Sequence, residues 1–323
     1  MEQPRARTPS AAALLALEAR RLLGKKSYIV LVALGVAAPL LVSLLIRGPV
    51  HKLLQQAHLP HQVLSTAWLA FLGSSRALGG LLNAGAFSAL GLAAVSLTSY
   101  SWIIAVVFAA LIVAGDIVEG RLQLLVVRPV TRRRLLAVKI AALTVSLALL
   151  FTVSAAAVYV SATILFGSQA KPWLMPVYGA VLAAALIPLE AATMIIALKL
   201  RRSGVTMLLG ILLYIVGSMI SALPMVQFIR SLGAGAGGEA AKQALRAMMY
   251  LNVAEPLHGG PNLAKTLLDA VIAGLHAQAT MPGFNINLGV NYAMLLAVGA
   301  ASLAAASLVL YAVASLVFSR QTL

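Results

Sequence analysis

Cysteine is absent from all 323 residues, which excludes disulfides, thiolate metal sites and cysteine nucleophiles and says nothing about compartment. Charge is also scarce: 10% of residues are charged, where a soluble domain carries about 25%. With 61% hydrophobic residues and a mean hydropathy of +0.97, the chain has too little polar surface to cover a soluble fold. No paired aspartates, Ser/His arrangement or zinc motif lies within the apolar runs, so an intramembrane enzyme is not expected. By the same reading the chain has no catalytic, cofactor-binding or metal-binding residue. No internal repeat suggests an inverted-repeat transporter. A cleaved signal peptide is not expected either, because the first apolar run, Tyr28 to Ile46, is too long and no small-residue site closes it.

What remains is apolar sequence and positive charge. The net charge of +16 would suit nucleic acid, but the basic residues cluster beside apolar runs instead of interleaving with aromatics along a groove. No nucleic-acid partner is expected; the partner is the lipid membrane. Six segments are long enough to cross it, near 28–46, 86–114, 137–165, 174–198, 204–223 and 290–318. Pro39, Pro188 and Pro224 are expected to kink or end spans. Ahead of them, residues 1–27 hold a helix over Ala11–Leu23, with Ser10 at its start and Gly24 at its stop. Its mixture of Glu18, Arg20 and Arg21 with leucines suits the membrane interface.

Lys and Arg set the orientation. Sixteen of the 24 lie in the N-terminal segment, the 115–139 region, the Lys199/Arg201/Arg202 turn and Arg320, so both ends are expected in the cytoplasm. The other side would carry a loop near 47–85, a turn at Gly167–Lys171 and a segment near 224–289. That last segment has helices over Glu239–Tyr250 and Asn262–His276.

The stretch from Asp116 to Lys139 is the most informative. Asp116 and Glu119 would open a short helix after the second span, with Leu122, Leu124 and Leu125 as its apolar side. Pro129 breaks it, Arg132, Arg133 and Arg134 reach headgroup level, and Lys139 snorkels from the third span. Such a helix, fixed at both ends to long spans, can pass force from a cytoplasmic partner into the membrane. The bland alternative is that the arginines only anchor topology.

The order of Asp116, Gly120, Leu122, Leu125, Pro129, Arg132 and Lys139 resembles the cytoplasmic loop of ABC-2 type transporter permeases. Glu18 and Arg21 before the first span, and Pro39 inside it, extend the resemblance over most of the chain. Asp116 stands where Glu is usual and Arg121 where Thr is usual, which leaves the subfamily open. The resemblance implies an all-α integral membrane protein of six transmembrane helices, with an N-terminal interfacial helix and a type V exporter-like architecture. It implies a coupling loop at 115–136 and a span domain over 28–323. It further implies pairing with a second permease subunit, identical or similar, and with cytoplasmic ABC ATPase subunits that hold ATP and Mg. The setting would be a prokaryotic plasma membrane and the direction outward. In that scheme Asp116 and Glu119 face basic groups of the ATPase, Leu122 and Leu125 fill its groove, and Arg132 holds the loop at the membrane. The substrate would be an amphiphilic or lipid-like molecule or a peptide.

Other residues carry two readings each. Glu190, the acid well inside a span, either lines a substrate path or is a packing residue. Ser96, Thr98, Ser99, Tyr100 and Ser101 either pack helices or line a polar route. His51, His58, His61, His258 and His276 fall in outer loops and lack metal-site spacing. The run from Gly233 to Gly238 lacks the Lys-Ser/Thr pair of a phosphate loop. A self-sufficient channel or secondary transporter, or a non-transporting anchor of a complex, are the competing functions.

Overall fold

In lipid no water satisfies stray backbone groups, so apolar runs of this length cross as helices or closed barrels. The computed structural model describes residues 10–57, 61–74, 76–77, 97–118, 131–233, 239–279 and 289–320. Those residues are helical and contain no strand beyond an isolated bridge between Gln278 and Asn291. The protein is thus an all-α chain built for a membrane. Among the described residues five helices are long and apolar enough to cross, or six if one bent pair counts as a single span.

The elements are α1 (Ala11–Leu23), α2 (Lys26–Ala57), α3 (His61–Ser65), α4 (Ala67–Phe71) and α5 (Ser101–Val118), the last preceded by a 3-10 turn at Leu97–Tyr100. Then come α6 (Arg132–Phe166), α7 (Leu174–Ala185), α8 (Ile187–Leu200), α9 (Ser203–Gly233), α10 (Glu239–Ala254), α11 (Gly259–Ala273) and α12 (Tyr292–Arg320). Ser10 caps α1 by accepting from the Ala13 N–H at 3.1 Å, and Gly24 closes it, as the sequence predicts. α2 runs unbroken through Pro39. The span expected at 174–198 is two helices, α7 and α8, bent by 40° at Leu186. Pro188 sits in the first turn of α8, where its missing N–H leaves no bond unmade.

Several boundaries differ from the sequence expectation: α2 continues to Ala57 where the first span was expected to end near 46, and within the expected 86–114 span α5 begins only at Ser101, after the 3-10 turn. α9 continues past Pro224 to Gly233, taking in the first ten residues of the segment assigned to the outer side. α11 begins at Gly259 and stops at Gly274, whose φ of +96° lies where non-glycine residues are strained, so its end comes before His276. The stretch expected as a loop at 115–136 is also shorter, falling between Val118 and Thr131. Gly115–Val118 still belong to α5, and Thr131 caps α6 at Arg132 through the Arg134 N–H, 3.4 Å away.

α6 is the central post. At 35 residues it is about 52 Å long, well beyond the hydrocarbon core, and it packs against α1, α2 and α7. The α7 contact is close: a Cβ on Gly179 would come within 2.8 Å of the Thr152 backbone nitrogen. α5 packs on α8 and α9, while α12 closes over α8, α10 and α11. The 47–85 stretch, expected as one loop, is partly a lid. Ala67 to Phe71 form α4 with every side chain buried, because so apolar a run gains from leaving water. Trp68 Nε1 donates to Ala170 O at 2.9 Å, Tyr178 Oη to Leu72 O at 3.0 Å and Lys171 Nζ to Val271 O at 2.7 Å.

Candidate functional site

α1 alternates leucines with charge, and Glu18 and Arg21, one turn apart, share a face. Asp116 lies in the last turn of α5. Lys139 lies two turns into α6. Neither charge suits its place: a carboxylate is disfavoured in the last turn of a helix, and a buried cation needs an opposite charge beside it. The fold resolves both by bringing the three helices together. Lys139 Nζ lies 2.5 Å from Asp116 Oδ2 and 3.5 Å from Glu18 Oε1. Arg21 grips the same Asp116 with both Nη atoms, one of them 3.0 Å from Oδ2, and its Nη1 is 3.5 Å from Glu18 Oε2. Glu18, Asp116 and Lys139 are 4%, 1% and 2% exposed, so two acids and one base are held out of water while Arg21 closes the cluster from a part-buried position.

Stranding one buried charge costs several kcal/mol, so the cluster holds only while all three helices stay in register. The pairing is therefore better suited to fixing a geometry, or switching between two, than to adding stability.

A second tie joins the same end. Arg132 Nη1 donates to Phe318 O at 3.2 Å and Ser319 O at 3.4 Å, placing a cation on the exposed carbonyls that end α12. Tyr311 Oη donates to Arg133 O at 3.1 Å. One end of the bundle thus gathers α1, the end of α5, the start of α6 and the end of α12.

The sequence assignments fare unevenly. Asp116 does not face outward, since its carboxylate is buried and occupied by Arg21 and Lys139. It also ends a helix where the sequence reading had it open one. Lys139 does not snorkel; it has two carboxylates beside it and stays buried. Arg132 holds the neighbouring α12 terminus. Glu119, Gly120, Leu122, Leu125 and Pro129 lie outside the described residues. Glu18 and Arg21, which the sequence places in an interfacial helix and in the family likeness, complete the cluster; the signal is charge set among leucines.

Glu190 is fully buried on α8, far in sequence from that cluster. The Thr144 hydroxyl lies 3.4 Å from its Oε2, and among the described residues Oε1 has no hydrogen-bond partner. In the polar belt, Thr98 and Ser101 are buried and Tyr100 is exposed, while Ser96 and the Ser99 side chain lie outside the description. Of the histidines, His51, His61 and His276 are exposed and His58 lies outside the described residues. His258 packs between α10 and α11, its ring centroid 4.9 Å from that of Tyr214. Burial first, and then the charge of Lys265, hold it below the usual histidine range. Among the described residues no group of His, Cys, Asp and Glu could hold a metal ion.

Residues 70–231 match the family described as Protein of unknown function (DUF2705). The chain belongs to that family. No curated protein and no solved structure matches it. The DUF2705 match runs from α4 to the end of α9, so it takes in Asp116, Arg132, Lys139 and Glu190. It leaves out α1, so Glu18 and Arg21 come to the cluster from outside the matched region.

Proposed function

We propose that the chain is the membrane permease subunit of an ATP-binding cassette transporter of the ABC-2 type, with no catalytic site of its own. The observation that carries this reading is the cluster in which part-buried Arg21 meets the buried Glu18, Asp116 and Lys139. It locks an interfacial helix to both ends of the segment 119–130, the segment on which a cytoplasmic ATPase would push. Displacing that segment moves Asp116 through the last turn of α5 and Lys139 through the first turns of α6. The interfacial helix then follows or the ion pairs part.

In this scheme ATP and Mg belong to the partner ATPase, and docking falls to Glu119, Leu122 and Leu125. Asp116 serves instead as the internal link that receives the movement. A second permease subunit completes the assembly in a prokaryotic plasma membrane, with both termini cytoplasmic. The apolar walls suit an amphiphilic or lipid-like cargo or a peptide, moved outward.

A self-sufficient channel or secondary transporter is the second reading. It is favoured by Glu190, whose Oε1 is buried without a partner among the described residues and would suit a proton or cation. One purification separates the two. The tagged chain, expressed with its neighbouring genes and gently extracted, should bring down an ATPase in equal amount, and Leu122→Asp with Leu125→Asp should release it. A chain that purifies alone and moves ions in vesicles would refute the ABC reading and point to Glu190.

A further inference from the structure

An apolar groove runs along α12. One part, of about 430 Å³, is lined by Ala137, Ile140, Ala141, Thr144 and Val145 of α6 and meets α12 at Ser307, Leu308 and Tyr311. A second part, of about 510 Å³, shares Ile187, Ser307 and Leu308 with the first and continues to Ala300 and Leu263. Each is of the size that holds a small ligand, roughly 300–1,000 Å³. On α12 the lining residues fall at positions 300, 303, 304, 307, 308 and 311, a single helical stripe. From Ala300 to Tyr311 the stripe is about 17 Å long, close to half of the ~30 Å hydrocarbon core and so to the depth of one leaflet.

The α6 wall follows the same rule. Residues 137, 140, 141, 144 and 145 form one stripe, and one turn earlier that stripe reaches Arg133 and Arg134. Arg133 is exposed and Arg134 half-buried. Unlike Arg132, neither side chain forms a hydrogen bond or ion pair among the described residues. Tyr311, which lines the groove, donates its hydroxyl to the Arg133 carbonyl, so the arginines and an aromatic residue mark the same mouth. A slot of leaflet depth, walled mainly by apolar side chains, thus lies on the helical stripe that leads to Arg133 and Arg134.

We propose that this groove binds an anionic phospholipid, with an acyl chain along α12 between α6 and α8 and the phosphate at Arg133 and Arg134. Charge and dimensions both favour a lipid over a second copy of the chain, whose own basic end would repel that mouth. The inference rests on the groove and the two arginines and is independent of the transporter reading.

The test uses the full chain in phosphatidylcholine vesicles, with chain-labelled phosphatidylglycerol or phosphatidylcholine, reading the immobilised lipid by electron spin resonance. We expect phosphatidylglycerol to be preferred by about fivefold for each arginine. Arg133→Ala with Arg134→Ala should abolish the preference while leaving phosphatidylcholine binding unchanged, and Arg202→Ala, a cation away from the groove, should alter neither. Ala304→Phe should displace both lipids from the slot; Ala141→Phe, on the facing wall, repeats that arm if the first variant does not purify as a monodisperse species. Equal binding of the two lipids by the unaltered chain would overturn the proposal. So would a preference that survives loss of both arginines, an immobilised fraction unchanged by filling the slot, or displacement of the labelled lipid by inorganic phosphate.

Discussion

At the basic end of the bundle, α1, α5 and α6 meet through four charged side chains that bond to one another. At the opposite end the lid is fastened largely by side chains bonding to main chain: Trp68 to Ala170, Gln169 to Leu64, Lys171 to Val271, and Arg76 to Gln278. A carbonyl is fixed in its helix or turn, so such bonds hold one arrangement. Ion pairs across three helices depend on the relative position of all three and can be exchanged as a set. The contrast is between a lid fastened to main-chain partners and a three-helix contact made by ion pairs, beside which Arg132 and Tyr311 tie α6 and α12 through carbonyls.

Removing one member should hurt the basic end most. Asp116→Ala strands Arg21 and Lys139 against each other in a buried site, and we expect a loss of about 3–5 kcal/mol, seen as a lower melting temperature in detergent. Asp116→Glu should keep most of the stability, because the site needs a carboxylate between two cations. At the lid, Asp269 accepts from the Ser74 hydroxyl at 2.6 Å and the Arg76 N–H at 3.1 Å. Asp269→Ala should therefore cost about 1–3 kcal/mol and raise hydrogen exchange around residues 72–77 while leaving α1 protected. Arg132→Ala removes a single cation from the end of α12 and should cost about 0.3–1 kcal/mol, with faster exchange confined to the last turns of that helix. Smallest of all is Glu190→Gln, where an amide replaces a carboxylate of the same shape: assembly should be unchanged on size exclusion while transport changes. Lost assembly would make Glu190 a packing residue.

The sequence disclosed whatever is local. α1 could be bounded at Ser10 and Gly24 because capping is a matter of a few neighbouring atoms. The same holds for the start of α10 at Glu239. Pro224 misled because a proline inside a long helix reads as a stop, whereas packing against α10 carries α9 past it. The break at Leu186 has only Pro188 beside it as a signal. The lid was missed because α3 and α4, at five residues each, are too short to show a period. In the cluster every charge was visible as an oddity in an apolar run, but its partner lay 95 or 121 residues away, and no local pattern joins Arg21 to Asp116 or Glu18 to Lys139. Hence Asp116 was turned toward a partner protein when its partners lie in its own chain.

The most direct test of the basic-end cluster is a double-mutant cycle on Asp116→Asn and Lys139→Met, followed by thermal unfolding of the detergent-solubilised chain. If the two groups are paired in a dry site, each single change should be costly, and the double variant should cost less than their sum by about 0.5–3 kcal/mol. Strict additivity would mean that the two charges do not interact, and the three-helix lock would have to be abandoned.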